Sequence, residues 1–271
     1  SRRHSAGCGG VYGVRTRAVT CSKFFILEIV MKFTMNQQTT RLLFAIATMT
    51  ACFTSCLTAA EREVVSPDGV LKVVVSDTGG LNYRVEIKGR TILTNSPLGL
   101  EFHDGTKLGP SAVIRKSVKA GHDGEWVNPF GDRRIVPDHY RELRLTLEDG
   151  GAPARTFGLI VRAYDDGVAF RYDLPTNSGL GQFVLTNEMT EFQFAQDDRC
   201  WAGGESACAE THYPETRLSA IPTGQPGHPY RSVLPLVVET PAGYFAIAES
   251  DLLDWSGMSL AGTGTSAVKA V

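Results

Sequence analysis

The sequence predicts an all-β chain folded as a large antiparallel β-sandwich. Three observations carry this reading. Apolar and polar residues alternate in short runs, turn-forming pairs punctuate those runs, and no amphipathic helix interrupts the series after residue 60. Taken in order, Leu81, Tyr83, Val85 and Ile87 alternate with Asn82, Arg84, Glu86 and Lys88, which is the period of a strand with one buried and one wet face. Leu143, Leu145 and Leu147 alternate with Arg144, Thr146 and Glu148 in the same way. So do Phe157, Leu159, Val161 and Ala163, and after Asp166-Gly167 so do Val168, Phe170 and Tyr172. Tyr244 to Ala248 reads as a further strand. Between the runs stand Pro67-Asp68-Gly69, Gly79-Gly80, Lys88-Gly89, Asp104-Gly105, Asp149-Gly150-Gly151 and Pro241-Ala242-Gly243, residues that accept the positive φ angles of tight hairpins. Nothing repeats at a fixed period, so a propeller or solenoid is disfavoured. Trp126 and Trp255 read as packing residues. The sequence stops at Lys269-Ala270-Val271, early in what reads as another strand, so the sandwich is expected to be truncated at its C-terminal end.

Composition narrows the function classes. The 271 residues are 42% hydrophobic with a formal net charge of −2, which allows one or two soluble domains with a sizeable core. No basic stripe is present, and this argues against nucleic acid as the partner. The first sixty residues differ from the rest. Residues 1–34 read as an upstream or misassigned segment and are set aside from the fold. Residues 35–60 combine a polar start with Arg41, an apolar run from Leu42 to Leu57 and the small residues Thr58, Ala59 and Ala60. That is the pattern of a secretory signal peptide, too short for a membrane span. Residues 61–271 form the sandwich domain. Export to the periplasm or the outside follows. A second reading takes Phe53-Thr54-Ser55-Cys56 as a lipoprotein cleavage site with Cys56 acylated, which would anchor the protein by lipid.

The chemistry-bearing residues gather in one loop, Trp201 to Pro222, between two series of strands. Cys200 and Cys208 flank its start, and an oxidising compartment permits a disulfide between them. Glu205, Glu210 and Glu215 recur at intervals of five. Clustered carboxylates select hard cations such as calcium, whereas Glu205 and Glu215 read better as solvated surface acids. His212 lies two residues from Glu210, a conceivable metal pair, although a hydrogen-bonded loop histidine is the simpler reading. Trp201 either stacks on a sugar ring or caps the sandwich core. No nucleophile elbow, phosphate loop, zinc motif or EF-hand loop occurs.

Six segments in order resemble a known family. They are Val65-Ser-Pro-Asp-Gly-Val-Leu, Pro97-Leu-Gly-Leu-Glu, Asp138-His-Tyr-Arg-Glu-Leu-Arg-Leu-Thr-Leu, Tyr164-Asp-Asp-Gly-Val-Ala-Phe-Arg-Tyr, Thr216-Arg-Leu-Ser and Ala248-Glu-Ser-Asp-Leu-Leu-Asp-Trp-Ser-Gly-Met. From about residue 63 onward the chain resembles the N-terminal domain of glycoside hydrolase family 97, bacterial exo-acting α-glucosidases and α-galactosidases. The resemblance implies a β-sandwich like that of galactose mutarotase, followed by a catalytic (β/α)8 barrel that this sequence lacks. It implies a calcium ion at the active site, held mainly by the barrel, with one glutamate contributed by the sandwich just before the Arg-Leu-Ser; the matching position here is Glu210. It also implies that the catalytic carboxylates lie on the barrel, so no catalytic residue is expected in this chain, and that the substrate is an α-linked oligosaccharide. Three rival readings stay open: a free-standing carbohydrate-binding sandwich, an inactive truncated fragment, and a mutarotase-like epimerase using His139 with Glu142 or His212 with Glu210.

Overall fold

The computed structural model describes residues 24–30, 61–150, 154–176, 178–204, 211–225, 227–252 and 255–271. Its strands run in chain order as β1 (Phe24–Val30), β2 (Arg62–Val65), β3 (Leu71–Ser76), β4 (Asn82–Ile87), β5 (Arg90–Pro97), β6 (Leu100–Phe102), β7 (Lys107–Leu108), β8 (Ala112–Val127), β9 (Ile135–Asp149) and β10 (Arg155–Tyr164). They continue as β11 (Gly167–Asp173), β12 (Leu185–Glu188), β13 (Glu191–Gln193), β14 (Arg199–Gly204), β15 (Glu215–Arg217), β16 (Gly224–Gln225), β17 (His228–Pro229), β18 (Ser232–Thr240), β19 (Gly243–Ser250), β20 (Leu260–Gly262) and β21 (Ala267–Ala270). A single 3-10 turn, Leu218–Ala220, follows β15.

One sheet of twelve strands dominates, running β13-β21-β20-β18-β19-β1-β11-β10-β9-β8, with β14 and β15 branching from β18. A four-stranded meander, β2-β3-β4-β5, lies against it, and a three-stranded sheet, β12-β6-β7, closes one side. The alternating runs land where their period says they should. Tyr83, Val85 and Ile87 of β4 are buried, as are Leu143, Leu145 and Leu147 of β9 and Phe157, Leu159, Val161 and Ala163 of β10. These faces meet in one core. The Tyr83 ring packs 5.2 Å from Phe170 of β11 and 6.5 Å, edge-on, from Phe192 of β13. The sandwich expected from the sequence is therefore the architecture observed.

The turns follow their chemistry as well. Lys88 and Gly89 both take positive φ (50° and 77°) between β4 and β5. Two consecutive left-handed residues define the type I′ turn, whose twist matches the flanking strands. At Gly109 a close approach also enforces glycine: φ is 115°, and an added Cβ would stand 2.3 Å from the Leu98 carbonyl oxygen.

Three features depart from the sequence reading or lie outside it. Phe24–Val30, within the segment set aside, forms β1 between β11 and β19. The long hairpin β8–β9 reaches out of the body, and only Ala112 and Ile114 of β8 are buried. Near its tip Trp126 is 49% exposed and Phe130 82% exposed. Trp126 is thus a surface residue, because its strand has left the core by that point. Trp255 does pack against the core, and its indole N–H donates to Glu188 at 3.3 Å.

Candidate functional site

β14 carries alternate residues to opposite faces. Cys200 and Ala202 enter the core, while Arg199 and Trp201 stand on the outer face. Register then assembles a surface cluster: Arg199 lies opposite Glu239 of β18, Trp201 opposite Val237, and Glu239 opposite Tyr244 of β19. Arg199 donates through Nε to Glu239 at 2.6 Å and through Nη1 to Glu215 at 3.3 Å. Its guanidinium carbon lies 5.3 Å from the centre of the Trp201 ring, and Tyr244 packs on Trp201 at 6.0 Å while donating its hydroxyl to Glu239 at 2.9 Å. The Arg199 hydrogen bond holds the Glu239 carboxyl below the usual range, with the Tyr244 hydroxyl adding to the effect. Trp201 is half-buried in this cluster, an aromatic face edged by charge on the outside of the sheet.

The loop beyond β14 is clamped at both ends. Gly203 lies where the returning chain crosses: an added Cβ would meet Thr211 Cγ2 at 2.7 Å and the Tyr213 ring at 3.1 Å. Tyr213 donates its hydroxyl to the Leu234 carbonyl at 3.1 Å, the Ala202 N–H donates to the Pro214 carbonyl, and Ser232 Oγ donates to the Gly203 carbonyl. Downstream, Asp197 accepts from both the backbone N–H and the hydroxyl of Ser219 at 2.8 Å, and Arg217 donates to the Asp197 carbonyl. This fixes Arg217-Leu218-Ser219 against the start of β14. Glu205, Cys208 and Glu210 fall between the clamps, outside the described residues. Replacing Gly203 with alanine is expected to push the returning segment off β14. The cost should be about 1–3 kcal/mol, as for other forced overpacking, read as a lowered midpoint in denaturant unfolding.

Several sequence candidates end up apart. Cys200 is fully buried, and burial pushes its thiol up to about 11. Cys56 lies outside the described residues, as does the proposed partner Cys208. His212 is exposed beside the loop. His139 and Glu142, three residues apart on β9, occupy opposite faces of the strand. Glu142 is buried in ion pairs with Arg144 and Arg162, whereas His139 approaches Asp165 at 3.8 Å. This pair cannot work together on a sugar ring. Among the described residues no group of three or more His, Cys, Asp or Glu could hold a metal ion. They do not amount to a calcium cage, since calcium takes six to eight oxygens. A cleft of about 670 Å³ opens between Gly80, Pro97, Asn187, Glu188, Arg231 and Lys269, with neither Trp201 nor any other aromatic in its lining. No helix among the described residues is long and apolar enough to cross a membrane.

Of the surface cluster around Trp201, the sequence singled out Trp201 and, as a surface acid, Glu215. Arg199, Glu239 and Tyr244 come together only through the register of β14, β18 and β19. A pair of charged and aromatic residues on the wet positions of neighbouring strands was the one available signal.

The chain is similar to known proteins. The model of the glycosyl-hydrolase 97 N-terminal family matches residues 64–271. A retaining alpha-galactosidase of Bacteroides thetaiotaomicron is 27% identical over 222 residues, 77% of this chain and 31% of that protein. A probable retaining alpha-galactosidase of Streptomyces bingchenggensis is 32% identical over 190 residues, 65% of this chain and 26% of that protein. Among solved structures, a glycoside hydrolase family 97 enzyme of Pseudoalteromonas sp. strain K8, in complex with acarbose, superposes with a TM-score of 0.69 at 27% identity, covering 78% of this chain and 31% of that one. The chain thus spans about a third of the length of the relatives it matches.

Proposed function

The chain belongs to the glycosyl-hydrolase 97 N-terminal family, and from that membership we propose that it serves as the carbohydrate-facing domain of a secreted, calcium-dependent exo-acting α-glycosidase. In this reading the sandwich docks on a (β/α)8 barrel, and the loop after β14 reaches the sugar pocket. The observation that carries it is the extent of the family match, residues 64–271, which takes in Glu210 and the strands on either side of it. The relatives suggest the substrate class: one is named a retaining alpha-galactosidase, a second a probable one, and a third is held with acarbose. Glu210 is the residue offered to calcium, a single carboxylate ligand that would need the rest of its cage from the barrel. When bound, the ion acts as a Lewis acid and template for the sugar. What this chain supplies is position: Gly203, Tyr213 and Asp197 fix both ends of the loop, and Trp201 with Arg199 and Tyr244 gives a rigid amphipathic face beside it.

Four apolar residues stand exposed near the tip of the β8–β9 hairpin, Trp126, Val127, Phe130 and Ile135, and such exposure supports docking there. Export follows from residues 35–60, to the periplasm or beyond. The reading is tested on the protein from its own cells. Its intact mass should exceed the 29.4 kDa of this chain by a barrel's worth, and it should release sugar from α-linked oligosaccharides in a calcium-dependent way. Glu210→Gln should then raise the calcium needed for half-maximal activity by roughly tenfold or more, because site affinity follows ligand charge. A calcium requirement unchanged by that substitution would remove Glu210 from the site. A native protein no heavier than this chain would instead favour a free-standing sugar-binding module.

A further inference from the structure

The large sheet ends on a long, open strand. β8 runs for 16 residues, Ala112–Val127, pairs with β9 on one side, and has no strand on the other among the described residues. Its root is closed: the Ile114 N–H donates to Asp77 Oδ2 at 2.9 Å, and a bulge falls between Ile114 and Lys116. Beyond that point every residue of β8 is exposed except the partly covered Gly124. Such an edge offers a row of unpaired N–H and C=O groups to another strand, and proteins commonly blunt it with charge.

Here the charges change sign along the strand. Lys116 and Lys119 precede His122, and Asp123 and Glu125 follow it. Across the hairpin Lys119 faces Leu143 and Glu125 faces Pro137, so β9 sets no counter-charge directly opposite either. Val118 and Trp126, 44% and 49% exposed, share one face of the same stretch. A strand patterned in this way rejects most partners but matches its own copy running the other way. With a twofold axis at His122, Lys119 stands opposite Glu125 and Val118 opposite Trp126, each pairing occurring twice, and the small residues Ala120 and Gly124 face each other beside the axis. The neighbouring registers fit worse. An axis at Lys119 or at Asp123 sets like charges face to face. One at Ala120 drives Trp126 onto Ile114, whose N–H Asp77 already holds, and one at Gly121 leaves Glu125 facing Ser117 and Val118 facing Gly124.

We propose that β8 is the interface of a symmetric dimer, in which two copies of this chain pair edge to edge and antiparallel from Val118 to Trp126 with His122 on the axis. The recognition is strand addition through main-chain hydrogen bonds, with the charges setting the register. So short a ladder makes a small contact, and the dimer is reversible and concentration-dependent. The inference is independent of the sugar chemistry proposed above. It takes Trp126 to the second copy and leaves Val127, Phe130 and Ile135, nearer the tip, for docking on a further domain.

Sedimentation of the full chain over a range of concentrations tests this and should show a reversible monomer–dimer equilibrium. Lys119→Glu sets two acids opposite each other on both sides of the axis. It should raise the dissociation constant about tenfold, because both cross-strand charge pairs turn from attraction to repulsion. Adding Glu125→Lys restores opposite signs and should return the constant to within about twofold of the original. Both positions are exposed, so neither change should disturb the fold of the monomer. His122→Cys, oxidised with copper phenanthroline, should give a disulfide-linked dimer that the unaltered chain does not, since residues directly opposite on antiparallel strands lie within disulfide reach. A chain that sediments as a monomer throughout overturns the proposal. So does a dimer indifferent to Lys119→Glu, a double variant no tighter than the single one, or a His122→Cys chain that stays unlinked.

Discussion

Replacing Arg162 with methionine should destabilise the fold by about 3–5 kcal/mol, the cost of stripping a partner from a buried charge. Glu142 is only 2% exposed on the outer face of β9, and it accepts from Arg162 Nε at 2.7 Å and from Arg144 Nε. Arg162 in turn lies 4.1 Å over the Tyr140 ring, which packs against Tyr164 at 5.2 Å. Arg144 is 57% exposed and cannot shield the carboxylate alone. The double replacement Arg162→Met with Glu142→Leu should recover most of the loss, since an apolar pair needs no desolvation of charge.

The pH dependence separates this from simple loss of packing. Burial pushes the Glu142 carboxyl up, but the hydrogen bonds from Arg162 and Arg144 outweigh it, and the group ends below its ordinary value. A depressed carboxyl contributes stability above its unfolded pKa and loses that contribution as the pH falls through the folded value. In Arg162→Met burial should dominate and raise the carboxyl, so acid relieves the variant. The stability gap between the two proteins should therefore be widest above the variant's raised carboxyl value and should narrow as the pH falls through it. Denaturant unfolding at several pH values measures it. A gap that stays constant with pH would mean that Glu142 does not feel Arg162 as charge.

The parts of the fold that could be read from the sequence are those whose two faces see different surroundings. β4, β10, β11 and the inner half of β9 each have one face in the core, so their alternation is written in the residue types. β8 carries no such record, because past Ile114 neither of its faces touches the core. β1 escaped for the opposite reason. A strand paired on both sides in mid-sheet reads as an unbroken apolar run, and periodicity cannot tell that from a leader or a buried helix. The candidate site was legible only along the chain: the loop from Trp201 could be picked out by its density of chemistry. The contacts of Trp201 with Arg199, Glu239 and Tyr244 depend on which residue faces which across three strands, and local sequence does not encode that register.

Tyr172 should show the second large effect, and its two obvious variants should divide the cost. The side chain is 1% exposed on β11, yet its hydroxyl serves elements from two other places in the fold. It accepts the Gly99 N–H at 2.8 Å just ahead of β6, and it lies 3.1 Å from Thr190 Oγ1 between β12 and β13. Thr190 donates onward to Glu188 at 2.8 Å, which leaves its oxygen to accept from the tyrosine. Donors thus run in one direction, from Gly99 through Tyr172 and Thr190 to a carboxylate, and tie the three-stranded sheet to the large one. Burial, with the Glu188 charge second, drives the phenol far above its ordinary pKa, so it remains a donor at any working pH. Tyr172→Phe keeps the ring but leaves the Gly99 N–H unpaired, and should cost about 1–3 kcal/mol. Tyr172→Ala adds a cavity and should cost about 3–5 kcal/mol, lowering the melting point by roughly 6–20 °C. Thr190→Val combined with Tyr172→Phe should cost less than the sum of the two singles, by about 0.5–3 kcal/mol, because both interrupt the same chain of donors. Strict additivity in that cycle would show the two hydroxyls acting separately, and the sheets would then be held by apolar packing alone.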